Sequence, residues 1–482
     1  MAADARHIVQ GLQGIVGESN VIHHAEDLLV YEYDGSIDTA MPLAVAFPTS
    51  TEEVSRLVAL AQAEGLPVIG RGSGTGLSGG AIASLGGIQI SLTRMNRILE
   101  MDAGNHLAVV EPGVLNLDLD TEARKHGMRY APDPSSQRAC SLGGNVAENA
   151  GGPHCLAYGV TTNHVLGMEV VLEDGSVVWL GGKTRDVPGY DLRGVFVGSE
   201  GTFGIATKIA VRLLPVPEST TTLLGVFHDV DAACNAVSAI IGRGVVPAAM
   251  EMIDSVCIEA IINVTKGVFP ADAGAVLLVE VEGLEEETRG LGPDVEATMY
   301  DSGASEVRLA ADAQERERLW SARKGAFGAL GTLAPNYYLV DGVVPRTRLA
   351  EMLGDVERIA RKYNLLVANV FHAGDGNLHP CLLFDEREAG AAERAVKAGG
   401  EMLEVCVAMG GTLTGEHGVG LEKKAYMPLV FTGEDMEAME RVRDAFSPSG
   451  RFNPGKIFPG GPEYDHAAQR SAVSSAGPAA YI

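Results

Sequence analysis

The sequence is poor in positive charge, in aromatic residues and in paired cysteines. Its 482 residues include 37 Lys and Arg against 63 Asp and Glu, a net charge of −26 that argues against nucleic acid as a partner. None of its six cysteines has a partner at C-x-x-C spacing, so neither a disulfide framework nor an iron–sulfur or zinc–cysteine site is indicated. Aromatic residues make up 5% of the chain, but 60 residues are glycine, which favours tight turns and close approach of the backbone to a ligand.

Long apolar runs are missing as well. No run of eighteen apolar residues occurs, and the first ten residues, M-A-A-D-A-R-H-I-V-Q, lack the charged start and apolar stretch of a signal peptide. We therefore expect a cytoplasmic protein, held at the inner face of a membrane only through a partner. The length predicts two or three globular domains, and 46% hydrophobic and 21% charged residues agree with that class.

Apolar patterning predicts an α+β protein with a domain boundary at the L-L-P-V-P run of residues 213–217, because proline continues neither a helix nor a central strand. Before the boundary, Ser50 and Glu53 predict a capping box for a helix that Gly65 ends. After it, strands and helices alternate as two β-α-β-β-α-β units, the last strand falling at Gly411–Thr414. The expected organisation is an N-terminal helical segment at 1–40, a first domain at 41–217, a second at 218–445, a short segment at 446–459 and a flexible tail at 460–482.

Three glycine-rich stretches dominate the first domain: Gly70–Ala81, Pro132–Gly152 and Val197–Ile205. Gly74, Gly76 and Gly79 match the G-x-G-x-x-G pattern of dinucleotide-binding folds, but too few residues follow before the next strand for the crossover helix which that fold requires. Successive glycines can instead expose backbone N–H groups in a concave nest suited to a pyrophosphate. The second stretch combines small residues, hydroxyls and amides, a composition that favours wrapping a flat polar ligand.

Two histidines and an acid form a candidate metal site. His372 and His379 flank the glycine turn of F-H-A-G-D-G-N-L-H-P, which can bring both imidazoles to one point. Glu416, in T-G-E-H-G-V-G, is the natural third ligand of a divalent metal with open coordination positions, and Asp375 is the rival ligand.

Two further residues have the chemistry of a reaction centre. His417 follows Glu416 and is the candidate general base, because a neutral imidazole accepts a proton near pH 7. Arg323, in L-W-S-A-R-K, is the candidate clamp for a substrate carboxylate, since a guanidinium binds a carboxylate through two parallel hydrogen bonds.

The quoted stretches carry a resemblance to a known family. The three glycine-rich stretches resemble the flavin domain of the vanillyl-alcohol oxidase superfamily, in which FAD lies between two α+β subdomains. Within it, P-D-P-S-S-Q-x-A-C-S-L-G-G-N-V-A-E-N-A-G-G and the later G-E-H-G-V-G are similar to the group of glycolate oxidase D subunits and bacterial D-lactate dehydrogenases, over nearly the whole chain. This implies an α+β fold: a two-subdomain FAD-binding domain, a substrate or cap domain of ferredoxin-like units, and a C-terminal N-P-G-K segment that completes the flavin site.

The resemblance also implies the ligand contacts. Members with covalent FAD use a histidine in the first loop; this loop has none, so non-covalent FAD is expected. The same likeness implies His372, His379 and Glu416 as ligands of a divalent metal, for which we expect Zn²⁺ or Mn²⁺. The residues expected to hold FAD are Arg71, Gly72, Ser73, Gly74, Thr75, Gly76, Leu77, Ser78, Gly79, Pro132, Asp133, Ser136, Gly143, Gly144, Asn145, Ala147, Asn149, Gly201, Gly204, Ile205 and Asn453.

The reaction expected from this set is oxidation of a small 2-hydroxy acid to the 2-oxo acid. The carboxylate would bind Arg323, the hydroxyl would bind the metal, and His417 would take the hydroxyl proton while a hydride passes to flavin N5. The D configuration follows from the resemblance alone. Electrons would then pass to a separate acceptor, such as an iron–sulfur subunit, an electron-transfer flavoprotein, a quinone or oxygen, in a homodimer or a hetero-oligomeric complex.

Three alternatives remain open. Relatives act on glycolate, D-lactate or D-2-hydroxyglutarate; the absence of Lys and Arg from N-Y-Y-L-V-D-G-V-V-P favours a short monocarboxylate, although Lys324 or Arg346 would supply the second cation of a diacid site. A flavin-binding but catalytically silent subunit is a second alternative, against which the intact histidines and Glu416 argue. A non-haem iron oxygenase is the third, and it would leave three glycine-rich stretches unexplained.

Overall fold

The structure is a computed structural model that describes residues 2–185 and 188–460. Apart from Gly460, the expected flexible tail lies outside the described residues. No helix in the described part of the chain has the length and apolarity needed to cross a membrane.

Helices cover both halves of the chain. In chain order they are α1 (Ala2–Val16), α2 (Ala25–Leu28), α3 (Thr51–Glu64), α4 (Asn116–Arg124), α5 (Leu142–Glu148), α6 (Cys155–Tyr158), α7 (Leu192–Phe196), α8 (Val230–Gly242), α9 (Ser255–Val264), α10 (Glu285–Asp301), α11 (Ala313–Lys324), α12 (Ala326–Ala329), α13 (Leu349–Lys362), α14 (Ala391–Ala408) and α15 (Gly433–Phe446). Short 3₁₀ turns lie at Glu18–Asn20, Leu29–Tyr31, Leu92–Arg94, Thr161–Asn163, Leu330–Thr332, Arg346–Arg348 and Lys424–Leu429.

Strands alternate with these helices. They are β1 (Val21–Ile22), β2 (Ala44–Ala46), β3 (Val68–Arg71), β4 (Ile88–Ser91), β5 (Ile98–Asp102), β6 (Leu107–Val110), β7 (Met128–Arg129), β8 (Val165–Val171), β9 (Val177–Gly181), β10 (Ile205–Arg212), β11 (Leu214–Pro215), β12 (Ser219–Phe227), β13 (Ala249–Asp254), β14 (Ala275–Gly283), β15 (Glu306–Leu309), β16 (Asn336–Leu339), β17 (Gly342–Val343), β18 (Leu366–His372), β19 (Asn377–Leu378) and β20 (Pro380–Phe384).

The first half builds two larger sheets and the two-stranded pair β7–β11, and glycine-rich stretches connect or follow strands of the larger sheets. Strands β1–β2–β4–β3 form a four-stranded sheet, and β5–β6–β10–β8–β9 form an antiparallel five-stranded sheet. Helix α3 forms as expected: Ser50 Oγ accepts a hydrogen bond from Glu53 N at 3.2 Å, and Gly65 ends the helix in the left-handed conformation at φ 69°. Its buried side chains Val54, Leu57, Val58 and Ala61 pack on the four-stranded sheet and α1.

The second half builds one large antiparallel sheet from two units. The first unit has the strand order β15–β12–β14–β13, with α8 and α10 as its crossover helices, which is the expected ferredoxin-like arrangement. Strands β18–β19–β17 and β20–β16 form the second unit, which joins the first where β13 pairs with β18. Helices α8, α13 and α14 bury one face of the sheet, and α9, α11 and α12 bury the other.

The structure lacks the strand expected at residues 411–414 and contains a helix, α5, that the sequence did not predict. Residues 411–414 do not form a strand; only Thr412 pairs, through an isolated bridge to Val343, because the following backbone turns onto a buried carboxylate described below. Helix α5 lies inside the second glycine-rich stretch, where two glycines in seven residues lower the helix propensity. Ser141 caps it by accepting a hydrogen bond from Gly144 N.

Candidate active site

The three glycine-rich stretches line one cavity of about 390 Å³. Its far end is formed by the second half of the chain, through Lys324, Phe327, Tyr337, Leu339, His379, Glu416 and His417. Of the residues expected to hold FAD, the cavity wall contains Arg71, Gly72, Ser73, Gly74, Thr75, Gly76, Leu77, Ser136, Gly143, Gly144, Asn145, Ala147, Gly201, Gly204 and Ile205.

The other residues expected to hold FAD are not among the residues that line the cavity: Ser78, Gly79, Pro132, Asp133, Asn149 and Asn453. Asn453 ties two of the stretches together, because its Nδ2 donates to Gly80 O and to Glu200 O, both at 2.7 Å. Asp133 is engaged by Lys324 at 3.0 Å and by His154 at 3.0 Å.

The cavity wall suits a large ligand approached closely by backbone. Gly74 has φ 71°, and Gly204 has φ 153°, conformations that residues with a Cβ rarely adopt. Gly72 and Gly143 lie against Ser141 and Pro112, where a methyl group would collide. These positions therefore require glycine, and residues of all three stretches line the cavity.

The predicted metal ligands meet at one end of this cavity. The pairing of β13 with β18 places Glu251 opposite His372, and Glu251 Oε1 lies 2.7 Å from His372 Nδ1. The other ring nitrogen, His372 Nε2, lies 3.0 Å from Glu416 Oε1, and His379 Nε2 lies 3.4 Å from the same oxygen. Ligand atoms of His372, His379 and Glu416 all lie within 4.8 Å of one another.

These residues fit a bound divalent cation. Both ring nitrogens of His379 are buried without a hydrogen-bond partner among the described residues, an arrangement that is costly unless a ligand completes it. A second set, which also contains His379, combines it with Asp341 and His417. Asp375, the rival ligand, belongs to neither set; its Oδ1 accepts a hydrogen bond from Asn377 N at 3.1 Å.

Burial and charge act against each other at the histidines. Burial alone would lower the pKa of His372, but Glu251 and Glu416 raise it well above the usual value. Burial would raise the pKa of Glu416, but His372 and His379 hold it at about 2. Burial lowers the pKa of His417 to about 4, so its imidazole is neutral at pH 7 and able to accept a proton.

Asp341, which sequence reasoning missed as a site residue, holds the segment 414–417 in place. Its Oδ2 accepts hydrogen bonds from Thr414 Oγ1 at 2.5 Å, from Gly415 N at 3.1 Å and from His417 N at 3.0 Å. Lys423 Nζ lies 3.3 Å from the same oxygen and compensates its charge. His417 Nδ1 faces this carboxylate at 3.8 Å, so Asp341 orients both a ligand segment and the candidate base.

Arg323 lies near this centre but outside the cavity wall. Its side chain is fully buried, and its Nη2 lies 2.5 Å from Glu251 Oε2. This contact is an ion pair whose angles do not fit a hydrogen bond, and no other described residue accepts a hydrogen bond from the Arg323 guanidinium. Lys324, the next residue, does reach the wall, and it is paired with Asp133.

Glu251 was also missed. It stands between apolar residues in A-M-E-M-I and is fully buried, and a charge in a strand core is the one signal that could have marked it. Burial would raise the pKa of Glu251, but Arg323 and His372 lower it.

Comparison with known proteins identifies the family. The profile "FAD binding domain" matches residues 42–181, and the profile "FAD linked oxidases, C-terminal domain" matches residues 216–457. The chain belongs to the FAD-linked oxidases. FAD is therefore the cofactor, and the family expected from the glycine-rich stretches is confirmed.

Relatives of this FAD-linked oxidase share its length. It is 42% identical to the glycolate oxidase subunit GlcD of Escherichia coli strain K12, over 95% of this chain and 92% of that protein. It is 33% identical to the D-lactate dehydrogenase of Anaerostipes hadrus, over 87% of this chain and 90% of that protein. The crystal structure of p-cresol methylhydroxylase with substrate bound superposes with a TM-score of 0.81 at 18% identity, over 95% and 97% of the two chains, and confirms the expected fold class.

Proposed function

We propose that this oxidoreductase oxidises a small D-2-hydroxy acid, glycolate or D-lactate, to the 2-oxo acid. One observation carries the proposal: His379, Glu416 and His417 line the same cavity as the three glycine-rich stretches. A reacting acid held by the histidine cluster would therefore face the bound flavin. The names of the relatives, a glycolate oxidase subunit and a D-lactate dehydrogenase, support this substrate class.

FAD would be held without a covalent bond by the cavity-lining glycine stretches. When bound, it supplies a two-electron acceptor for the hydride of the substrate Cα–H. The chain contributes backbone N–H groups at Gly70–Leu77 and polar side chains at Ser136 and Asn145. Acid precipitation of the protein is expected to leave the flavin in the supernatant.

His372, His379 and Glu416 would hold a divalent cation, Zn²⁺ or Mn²⁺ by their mixed nitrogen and oxygen donors. Such a cation lowers the pKa of a bound hydroxyl group. His417 takes the hydroxyl proton: its Nδ1 faces Asp341, and its Nε2 lies 3.9 Å from Glu416 Oε1, on the side where the ligand atoms meet. Burial keeps this imidazole neutral and ready for the proton.

The carboxylate of the substrate is assigned to Arg323, whose guanidinium nitrogens lack acceptors among the described residues apart from the Glu251 ion pair. Phe327, Tyr337 and Leu339 give the same end of the cavity an apolar wall. An apolar wall favours a short monocarboxylate over D-2-hydroxyglutarate, whose second carboxylate would need Lys324 to leave Asp133.

Reoxidation is assigned to a separate acceptor, an iron–sulfur subunit, an electron-transfer flavoprotein or a quinone. The word "subunit" in the relative's name supports a hetero-oligomeric complex. We propose a cytoplasmic location, with contact to the inner face of the membrane only through such a partner.

The test is anaerobic reduction of the bound flavin. Glycolate, D-lactate, L-lactate and D-2-hydroxyglutarate are added separately to the purified protein, with and without EDTA, and the oxidised flavin absorbance is followed. We expect glycolate or D-lactate to bleach the flavin, L-lactate to leave it oxidised, and EDTA to abolish the reaction. Zn²⁺ or Mn²⁺ added after dialysis should restore it.

Each other result has a distinct meaning. Bleaching that EDTA does not affect would remove the cation from the proposal. Faster bleaching by D-2-hydroxyglutarate would replace the short acids as substrates. Bound flavin that none of the four acids reduces would overturn the proposed activity and favour a silent flavin subunit.

A further inference from the structure

The cavity wall contains a carboxyl group, that of Glu148, to which no role has been assigned above. Glu148 is the last residue of α5 and lines the cavity. Its carboxyl group is wedged between two loops, since a methyl group at either Gly80 or Gly418 would collide with it. Its Oε2 is buried and has no hydrogen-bond partner among the described residues.

The neighbouring acid, Glu200, is already stabilised as an anion. Val419 N donates to Glu200 Oε1 and Gly420 N donates to Glu200 Oε2, each at 2.7 Å. A methyl group at Gly418 would contact oxygens of both Glu148 and Glu200, so the two carboxyl groups flank the same glycine. Two carboxylates so placed do not ionise together, and the N–H donors favour the charge on Glu200.

The charged groups around Glu148 are Asp34, Glu200, Lys423 and Lys456. Both lysines are engaged elsewhere: Lys423 Nζ donates to Gly418 O and Asp341, and Lys456 Nζ donates to Ile82 O and Asn453 Oδ1. Burial, followed by Glu200 and Asp34, raises the pKa of Glu148 well above its usual value. Burial also raises the pKa of Glu200, although the N–H groups of Val419 and Gly420 act to lower it.

We propose that Glu148 stays protonated at neutral pH and donates a hydrogen bond to the bound flavin, raising its reduction potential. Gly418, against which Glu148 lies, follows His417, so the donor is at the reacting end of the cavity. The inference rests on the proposed placement of the flavin at this end and is independent of the substrate. Nothing in the hydride or proton transfers assigned above uses Glu148.

The test compares the midpoint potential of the bound flavin, measured by dye equilibration, in the wild type, Glu148→Gln and Glu148→Met. Reduced flavin is richer in electrons and accepts a hydrogen bond better than oxidised flavin, so losing the donor should weaken binding of the reduced form about tenfold. For a two-electron couple this lowers the potential by about 30 mV. We expect that shift in Glu148→Met and almost none in Glu148→Gln, which keeps a neutral donor.

The sign of the change decides between the two protonation states. If Glu148 were an anion, both substitutions would remove a negative charge next to the flavin and raise the potential, which would overturn the proposal. Once a rise in pH ionises Glu148, the wild-type potential should fall below that of Glu148→Gln.

Infrared spectroscopy reads the proton directly and does not depend on catalysis or on the folding of Glu148→Met. The wild type should show the C=O stretching band of a buried neutral carboxylic acid, and Glu148→Gln should lack it. If the wild type and Glu148→Gln showed the same carboxylic acid bands, the inference would be overturned. Because neither measurement needs a 2-hydroxy acid, failure here is distinguishable from failure of the proposed substrate class.

Discussion

Glu251 joins the candidate carboxylate clamp to the candidate metal site. Its two oxygens lie 2.5 Å from Arg323 Nη2 and 2.7 Å from His372 Nδ1, and both acid and arginine are fully buried. A buried carboxylate is tolerated only with such partners, and removing one of them leaves an uncompensated charge. Arg323 therefore has a structural role in addition to any contact with substrate.

This double role makes a prediction for Arg323→Met. We expect the substrate KM to rise about 10–100-fold, the cost of losing a charge-assisted carboxylate contact of about 1.5–3 kcal/mol. We also expect a lower unfolding temperature, because Glu251 loses its countercharge. Steady-state kinetics and thermal unfolding, followed by flavin fluorescence, measure the two effects separately.

The double variant Glu251→Gln with Arg323→Met is the control. It removes the uncompensated charge and should recover part of the lost stability without recovering KM. An unchanged KM in Arg323→Met would contradict the clamp, and Lys324→Met, at the neighbouring residue that does line the cavity, would then be the variant to measure.

Among the candidate site residues, the sequence predicted those that stand in short, recognisable motifs. His372, His379, Glu416 and His417 stand in short motifs with glycine, and the structure brings them together. Glu251 and Asp341 were missed because each is an acid within an apolar strand or beside one, without a motif around it. Their partners lie far along the chain, 121 residues away for His372 and 76 for His417. Strand pairing brings Glu251 to His372, and the turn after Thr412 brings the backbone of His417 to Asp341.

Among the elements, the segment 414–417 depends on one anchor. Asp341 follows β16, and its carboxylate accepts hydrogen bonds from the hydroxyl of Thr414 and from the backbone N–H groups of Gly415 and His417. The chain after Thr412 cannot continue as a strand because its N–H groups point to this carboxylate instead of a neighbouring strand. The position of Glu416 and His417 therefore follows from Asp341.

We expect Asp341→Asn to weaken metal binding and to lower kcat about 10–100-fold, the usual effect of removing a residue that orients metal ligands. Binding of Zn²⁺ or Mn²⁺ by calorimetry, with anaerobic flavin reduction, measures both. Asp375→Asn is the matched control. Like Asp341→Asn it replaces an aspartate by its amide, but Asp375 belongs to neither candidate ligand set. Equal losses in the two variants would contradict the anchoring role and point to a general charge effect.

Element boundaries show where local patterning sufficed. The capping of α3 by Ser50 and its end at Gly65 were predictable because both signals are local. Helix α5 was not, because Gly143 and Gly144 lower its propensity while packing against Pro112 and Ser141 holds it in place. The joining of two ferredoxin-like units into one sheet, through β13 and β18, has no sequence signal at all.

Over the whole molecule, the two halves meet through a buried ionic network beside the cavity. His154 lies between Asp133 of the first half, at 3.0 Å, and Glu280 of β14, at 3.3 Å. Lys324 closes the network on Asp133, and the ring of His154 stacks on Trp320 at 5.4 Å. Burial would lower the pKa of His154, but Asp133 and Glu280 raise it to about 10.

This network makes the stability of the joined halves depend on pH. Because the folded chain holds the His154 proton more tightly than the unfolded chain, the stabilisation is complete below about pH 6.5 and is lost as the pH rises towards 10.

We expect His154→Gln to lower the free energy of unfolding by about 2 kcal/mol at pH 6, the size of a charge-assisted hydrogen bond. The difference in unfolding free energy between the wild type and His154→Gln should decrease steadily between pH 7 and pH 10. Unfolding temperatures of both proteins over this range measure it. His126→Gln is the matched control, since His126 is exposed beside Glu122, and it should show a small difference from the wild type at every pH. A large His154→Gln gap that stays constant up to pH 10 would show that stacking on Trp320, and not the charge of His154, holds the two halves together.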